Sequence, residues 1–237
     1  MYFTLSTTMK AGLWMVGAVV SFSIMAIAGR ELTGKLDSFE IMLWRSLAGM
    51  IIVSGLAWHF NLLQQIKFTD LKLHIIRNIS HFFGQTLWYF ALTQITLAQL
   101  FAFEFTAPLW VALIAPFFLK EKFTKWKLIT ICLGFSGILI IARPEVGGMS
   151  VGMLAAIFCA LGFAGSILTT KLLTRHYSVT CILFWLTVIQ FILSLICAGI
   201  DGDITIPNRA WLHWVALISI GGLTAHFCIT TALTLAP

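Results

Sequence analysis

Eight apolar runs, each about twenty residues long, leave this chain one environment in which to fold. They occupy roughly residues 11–30, 39–60, 73–92, 96–119, 126–142, 151–172, 179–198 and 211–233. A helix of that length crosses the hydrocarbon core, and a helix satisfies its own backbone where no water is present to do so. The sequence therefore predicts an all-α polytopic membrane helix bundle of about eight transmembrane helices. Charge content agrees: 10% of the 237 residues are charged, against about a quarter in a soluble domain. The connectors are short, and none could hold a soluble domain.

The net charge of +6 does not point to nucleic acid, because the basic residues sit mostly in the connectors, where they set topology. With the N-terminus inside, the cytoplasmic segments hold Lys10, Lys67, Lys72, Lys120, Lys122, Lys125, Lys127, Lys171 and Arg175. The outer segments hold Arg30, Lys35, Arg143 and Arg209, with the acidic pair Asp201 and Asp203. That bias predicts a cytoplasmic N-terminus. The five cysteines lie in apolar runs with no CxxC pair, and they read as small buried hydrophobes.

The two halves of the chain match at a shift of about 140 positions. Gly12 meets Gly152, Leu32 meets Leu172, Ser38 meets Ser178, Leu43 meets Leu183 and Ser54 meets Ser194. With one inserted residue, Ala91–Leu92–Thr93 meets Ala232–Leu233–Thr234. The unit is five helices, so the second copy enters the membrane from the opposite side. This is an inverted-topology repeat, the plan of many secondary transporters. Residues 1–142 form the first five-helix repeat, and 143–237 form an incomplete second repeat with three of five helices. The complete plan is a ten-helix (5+5) bundle, and it needs about 45 further residues. The expectation is that the chain is truncated, a fragment or a partial product.

Polar residues within the spans are costly in lipid and mark function by default. In the third span Arg77, His81, Gln85 and Trp88 share one helical face, with Gly84 beside it. An amide and an indole can orient a polar substrate, and the indole face can hold a cation or a flat ring. The competing readings are that Arg77 snorkels to the headgroups and that His81 only bonds between helices. In the fourth span Glu104 is a proton-coupling site, a partner for a cationic group or half of a salt bridge. The alternative is a neutral packing group. Arg45, in the second span, is its natural candidate partner. Pro108 and Pro116 predict kinks in the fourth span. Gly134/Gly137, Gly162/Gly165 and Gly221/Gly222 predict close helix packing. Glu121, at the end of the fourth span, is unfavourable to the helix dipole and predicts a basic partner there, with a solvated carboxylate as the alternative.

There is no Walker phosphate loop, GxSxG, HExxH or metal-ligand spacing. The chain is expected to be neither an enzyme nor an ATPase and to use no cofactor or metal. Its expected partners are a small-molecule substrate and membrane lipid. Oligomeric state is not legible.

The run FEFTAPLW at 103–110, continuing to FLKE at 118–121, resembles the fourth-helix signature of EamA-type permeases of the drug/metabolite transporter superfamily. Ser38–Phe39–Glu40 followed by Arg45, and Arg77 followed by Gly84–Gln85, Trp88 and Ala91–Leu92, resemble the first repeat of the same family. The resemblance implies a ten-helix inverted-repeat bundle with both ends cytoplasmic and a central cavity. It also implies movement of metabolites, often amino acids and related compounds, without ATP. Some bacterial relatives take up S-adenosylmethionine, but no motif here selects that substrate. The leading expectation is a secondary transporter of small polar metabolites in the bacterial inner membrane, working by alternating access. Glu104, Arg77, His81, Gln85, Trp88 and Arg45 would contact substrate or coupling ion. The competing expectation is a transport-incompetent remnant, or a half-bundle partner in an assembly.

Overall fold

A computed structural model describes residues 6–119, 122–142, 149–200 and 202–235. Lys120, Glu121, Arg143, Asp201 and Pro237, which enter the connector and chain-end expectations, lie outside the described residues. Helices start where side chains can take up the first orphan amides. Helix α1, Thr7–Leu32, begins at Ser6, whose hydroxyl accepts from the Met9 amide at 3.2 Å. Helix α2, Ser38–His59, begins at Asp37 with a reciprocal capping box. Asp37 Oδ1 accepts from the Phe39 and Glu40 amides at 2.6 and 2.9 Å, and Glu40 Oε2 accepts from the Asp37 amide at 2.9 Å. The second Glu40 oxygen accepts from the Thr205 amide, which ties this cap to the segment before the last helix. Asp37→Ala is expected to cost about 1 kcal/mol. The check is the thermal unfolding midpoint in detergent; an unchanged midpoint would mean that the cap contributes nothing.

A 3-10 turn at Leu63–Gln65 leads to α3, Leu71–Gln94. Then follow α4 (Leu97–Glu104), α5 (Ala107–Leu119), α6 (Lys125–Ala142), α7 (Val151–Leu173), α8 (Val179–Ala198) and α9 (Leu212–Leu235). Helices thus occupy all eight expected positions. Six stretches among the described residues are long and apolar enough to cross a membrane: α1, α2, Leu97–Phe117 (α4 with α5), α7, α8 and α9. Helix α3 falls outside that set because it carries Arg77, Asn78, His81 and Gln85, and α6 lies outside it as well. The protein is a polytopic helical membrane protein. Its outer faces fit that environment: Leu13, Val16 and Ile27 on α1, Leu133 and Ile140 on α6 and Ile196 on α8 are exposed. In water such faces would be a large unpartnered apolar surface; in a bilayer they meet lipid.

The chain forms two compact units, residues 1–78 with 169–237 and residues 79–168. Each draws on both halves of the chain, so packing cuts across the sequence repeat. In the first unit α1 lies along α9, and α2 packs against α8 and α9. Val53, Leu183 and Leu186 form one buried cluster, and Leu173, Tyr177, Cys181 and Ile182 form another. The Tyr177 hydroxyl donates to Asp70 Oδ2 at 2.7 Å. In the second unit α6 packs on α4 and α5. There α3 and α7 cross at near backbone contact. A Cβ at Gly162 would lie 2.8 Å from Gly84 Cα, and Ser80 Oγ donates to the Gly162 carbonyl at 2.8 Å.

Candidate functional site

In the second unit, the fourth span is broken where its carboxylate sits. Glu104 is the last residue of α4, and α5 starts after a two-residue turn. Pro108 has no N–H to return to the Glu104 carbonyl, so the helix ladder lapses there. Thr106 repairs part of the gap. Its hydroxyl donates to the Phe103 carbonyl at 2.7 Å and accepts from Trp110 Nε1 at 3.1 Å. Pro116 lies within α5 and does not end it.

The Glu104 side chain is 8% exposed, and Trp88 Nε1 donates to its Oε2 at 2.7 Å. This is a charge-assisted distance if the acid is ionised. Trp88 is itself 1% exposed and meets Tyr89 edge-on at 5.1 Å. Gln85, one turn before Trp88 on α3, is buried, and its Oε1 has no hydrogen-bond partner among the described residues. A buried amide oxygen without a donor is costly, and it keeps its acceptor capacity unused. His81 is buried too, its ring 5.4 Å from that of Phe163 and tilted by 32°. Gly84 leaves the room for this packing, since a Cβ there would lie 2.8 Å from the Phe163 ring.

Arg77 belongs to the other unit. It is 2% exposed, so it does not snorkel to the headgroups. Its Nε donates to Thr170 Oγ1 at 3.1 Å, and its Nη1 donates to Asn78 Oδ1 at 3.3 Å. Gln190 Nε2 donates to the Asn78 carbonyl at 2.9 Å and to Asn78 Oδ1 at 3.2 Å. Arg45, also in the first unit, is buried against Gly222 of α9, where a Cβ would lie 2.6 Å from the guanidinium Nε. It lines a cleft with Ser46, Gln190, Ser219 and His226.

The structure therefore brings Trp88 to Glu104 and puts Gln85 and His81 on the same helix, in the same unit. Arg77 and Arg45 lie in the other unit, each with its own neighbours. Thr106, Gln190 and His226 were missed from sequence. Thr106 has a signal, a hydroxyl residue two before a proline in a long apolar run. His226 has another, since the one-residue-inserted register that pairs Ala91 with Ala232 also pairs Gln85 with His226. Among the described residues no group of three or more His, Cys, Asp or Glu could hold a metal ion.

Comparisons with known proteins converge. The chain is 31% identical over 218 residues to a protein named riboflavin transporter from Brucella anthropi, covering 89% of this chain and 75% of that one. It is 24% identical over 186 residues to a protein named S-adenosylmethionine uptake transporter from Rickettsia bellii, covering 78% of this chain and 64% of that one. The chain thus spans less than two thirds of that relative's length. A crystal structure with 18% sequence identity has the same fold, at a TM-score of 0.70 over 95% of this chain and 78% of that chain. Residues 9–143 match the EamA-like transporter family, a family of transporters and not of enzymes, and the chain belongs to it.

Proposed function

We propose that the chain is a secondary transporter of a small polar metabolite and works by alternating access, with Glu104 as the group on which substrate or coupling ion acts. The observation that carries this reading is the buried Glu104–Trp88 hydrogen bond at the break between α4 and α5. Transporter sites are commonly built where a spanning helix is interrupted, because polar groups and freed backbone are tolerated there only against protein or a cavity. A buried acid held by one indole N–H keeps acceptor capacity for an ammonium, a hydroxyl or a proton. Gln85 Oε1 adds a second acceptor, and His81 is a third polar group in the same unit. Arg77 and Arg45 supply cationic groups in the other unit.

The plan behind this reading is the ten-helix inverted repeat, with residues 1–142 as one copy and 143–237 as part of the second. All eight helical positions cross the bacterial inner membrane, and the N-terminus is cytoplasmic. The substrates are amino acids or related compounds. Relatives named for S-adenosylmethionine and riboflavin bracket the choice between a compound with an amino-acid head and a flat ring system.

The test is uptake into proteoliposomes containing the 237-residue chain, without ATP, of S-adenosylmethionine, riboflavin and a panel of amino acids. Uptake of at least one compound above protein-free vesicles is expected. If none is taken up and none binds the detergent-solubilised chain, the reading is wrong.

A further inference from the structure

In the first unit, the connector from α2 to α3 is a strap fastened to the segment from Tyr177 to Trp185. Lys67 is held through its backbone. Its carbonyl accepts from Trp185 Nε1 at 2.9 Å, and its amide donates to Cys181 Sγ at 3.5 Å. Phe68 meets the Trp185 ring edge-on at 5.2 Å. Tyr177 holds the next two residues. Its hydroxyl donates to Asp70 Oδ2 at 2.7 Å and, with its one proton used there, accepts from Thr69 Oγ1 at 2.8 Å. Both ends of the strap turn through left-handed backbone. Asn61 and Asp70 have φ of 56° and 51°, and they are the two non-glycine residues with positive φ among the described residues. Asparagine and aspartate take this conformation as single residues. Positions of this kind, at the ends of elements, absorb the backbone change of a hinged segment.

The residue behind the clasp gives the strap a reason to move. His74 is 0% exposed, and neither ring nitrogen has a hydrogen-bond partner among the described residues. Its ring lies 5.2 Å from that of Tyr177 and 6.0 Å from that of Trp185. The two rings that fasten the strap therefore also wall in the imidazole. A neutral imidazole carries one donor and one acceptor, and burying both unmet is costly. The clasped state is thus favoured by a few hydrogen bonds and opposed by the group it encloses.

We propose that residues 62–69 are a hinged strap that alternates between this clasped state and a lifted one, in which His74 gains a hydrogen-bond partner from outside the protein. Asn61 and Asp70 are the hinges, and Tyr177 and Trp185 are the clasp. The inference does not depend on the transporter reading.

The test is labelling of the intact, detergent-solubilised 237-residue chain with N-ethylmaleimide, each cysteine followed separately by mass spectrometry. Cys181 is buried against Lys67 and reports the strap; Cys159 and Cys228, also buried, are the controls. Tyr177→Phe keeps the ring and removes the bonds to Thr69 and Asp70. It should speed labelling of Cys181 by about tenfold or more and leave Cys159 and Cys228 unchanged. If Tyr177→Phe does not fold, Trp185→Phe, which removes the bond to the Lys67 carbonyl, should do the same. His74→Phe, which puts carbon in place of the unmet nitrogens, should slow Cys181 labelling by about threefold or more relative to the unmodified chain. An unchanged Cys181 rate in the clasp variants, or a rise matched at Cys159 and Cys228, overturns the inference. So does His74→Phe labelling as fast as the unmodified chain. None of these outcomes involves transport, so the transporter reading stands or falls separately.

Discussion

Glu104→Gln should lower proteoliposome uptake by about ten- to a hundredfold while leaving the protein folded. The amide oxygen of glutamine can still accept from Trp88 Nε1, which now donates to Glu104 Oε2 at 2.7 Å, so the local packing has little reason to change. What is lost is the capacity to carry a charge or a proton. A hydrogen bond to a charged group is worth about 1.5–3 kcal/mol, which corresponds to that range of rate or affinity. Size-exclusion profiles and thermal midpoints should match the unmodified chain. Normal transport of every active substrate by Glu104→Gln, across pH, would remove the coupling role.

The second large effect is structural. Gly162→Leu should destabilise the second unit by about 3 kcal/mol or more, a large fraction of the total stability of a typical protein. Even the first added carbon would lie 2.8 Å from Gly84 Cα and 3.0 Å from the Ser80 carbonyl oxygen. Both contacts are with backbone, which cannot swing away as a side-chain tip can. Separating α3 from α7 would also break the Ser80–Gly162 hydrogen bond. Gly137→Leu on α6 is the control, since a Cβ there meets nothing within 4 Å. Fluorescence-detected size exclusion should show loss of the monodisperse peak for Gly162→Leu only. Equal yields for the two variants would contradict the close crossing.

Much of this was legible in the sequence, for physical reasons that differ by residue. The helical stretches were read from apolar length, because a bilayer leaves the backbone few alternatives. The break in the fourth span was announced by Pro108, and Glu104 stood out because an acid in an apolar run is costly. The Trp88–Glu104 contact was not readable, although both residues were singled out, because spacing along one helix says nothing about what a neighbouring helix presents. The stripe from Arg77 to Trp88 was a single feature on paper. In the structure it divides, since a 24-residue helix is long enough to serve two units. Arg77 was open between snorkelling and burial, and Thr170, distant in sequence, decides for burial. The glycine pairs predict close packing at all three places; the structure has it at Gly134, Gly162 and Gly222 but not at Gly137, because a small residue permits close approach without causing it.

The most direct measurement is a double-mutant cycle on the Glu104–Trp88 pair, read as counterflow of S-adenosylmethionine and of riboflavin in proteoliposomes. Trp88→Phe keeps an aromatic ring and removes the N–H. The account predicts that Trp88→Phe and Glu104→Gln each slow exchange of the transported compound by at least about tenfold. It also predicts that the double variant is little worse than either single one, as for residues that act together. Exchange at the unmodified rate in both single variants would contradict the claim that this buried pair is where substrate or coupling ion acts.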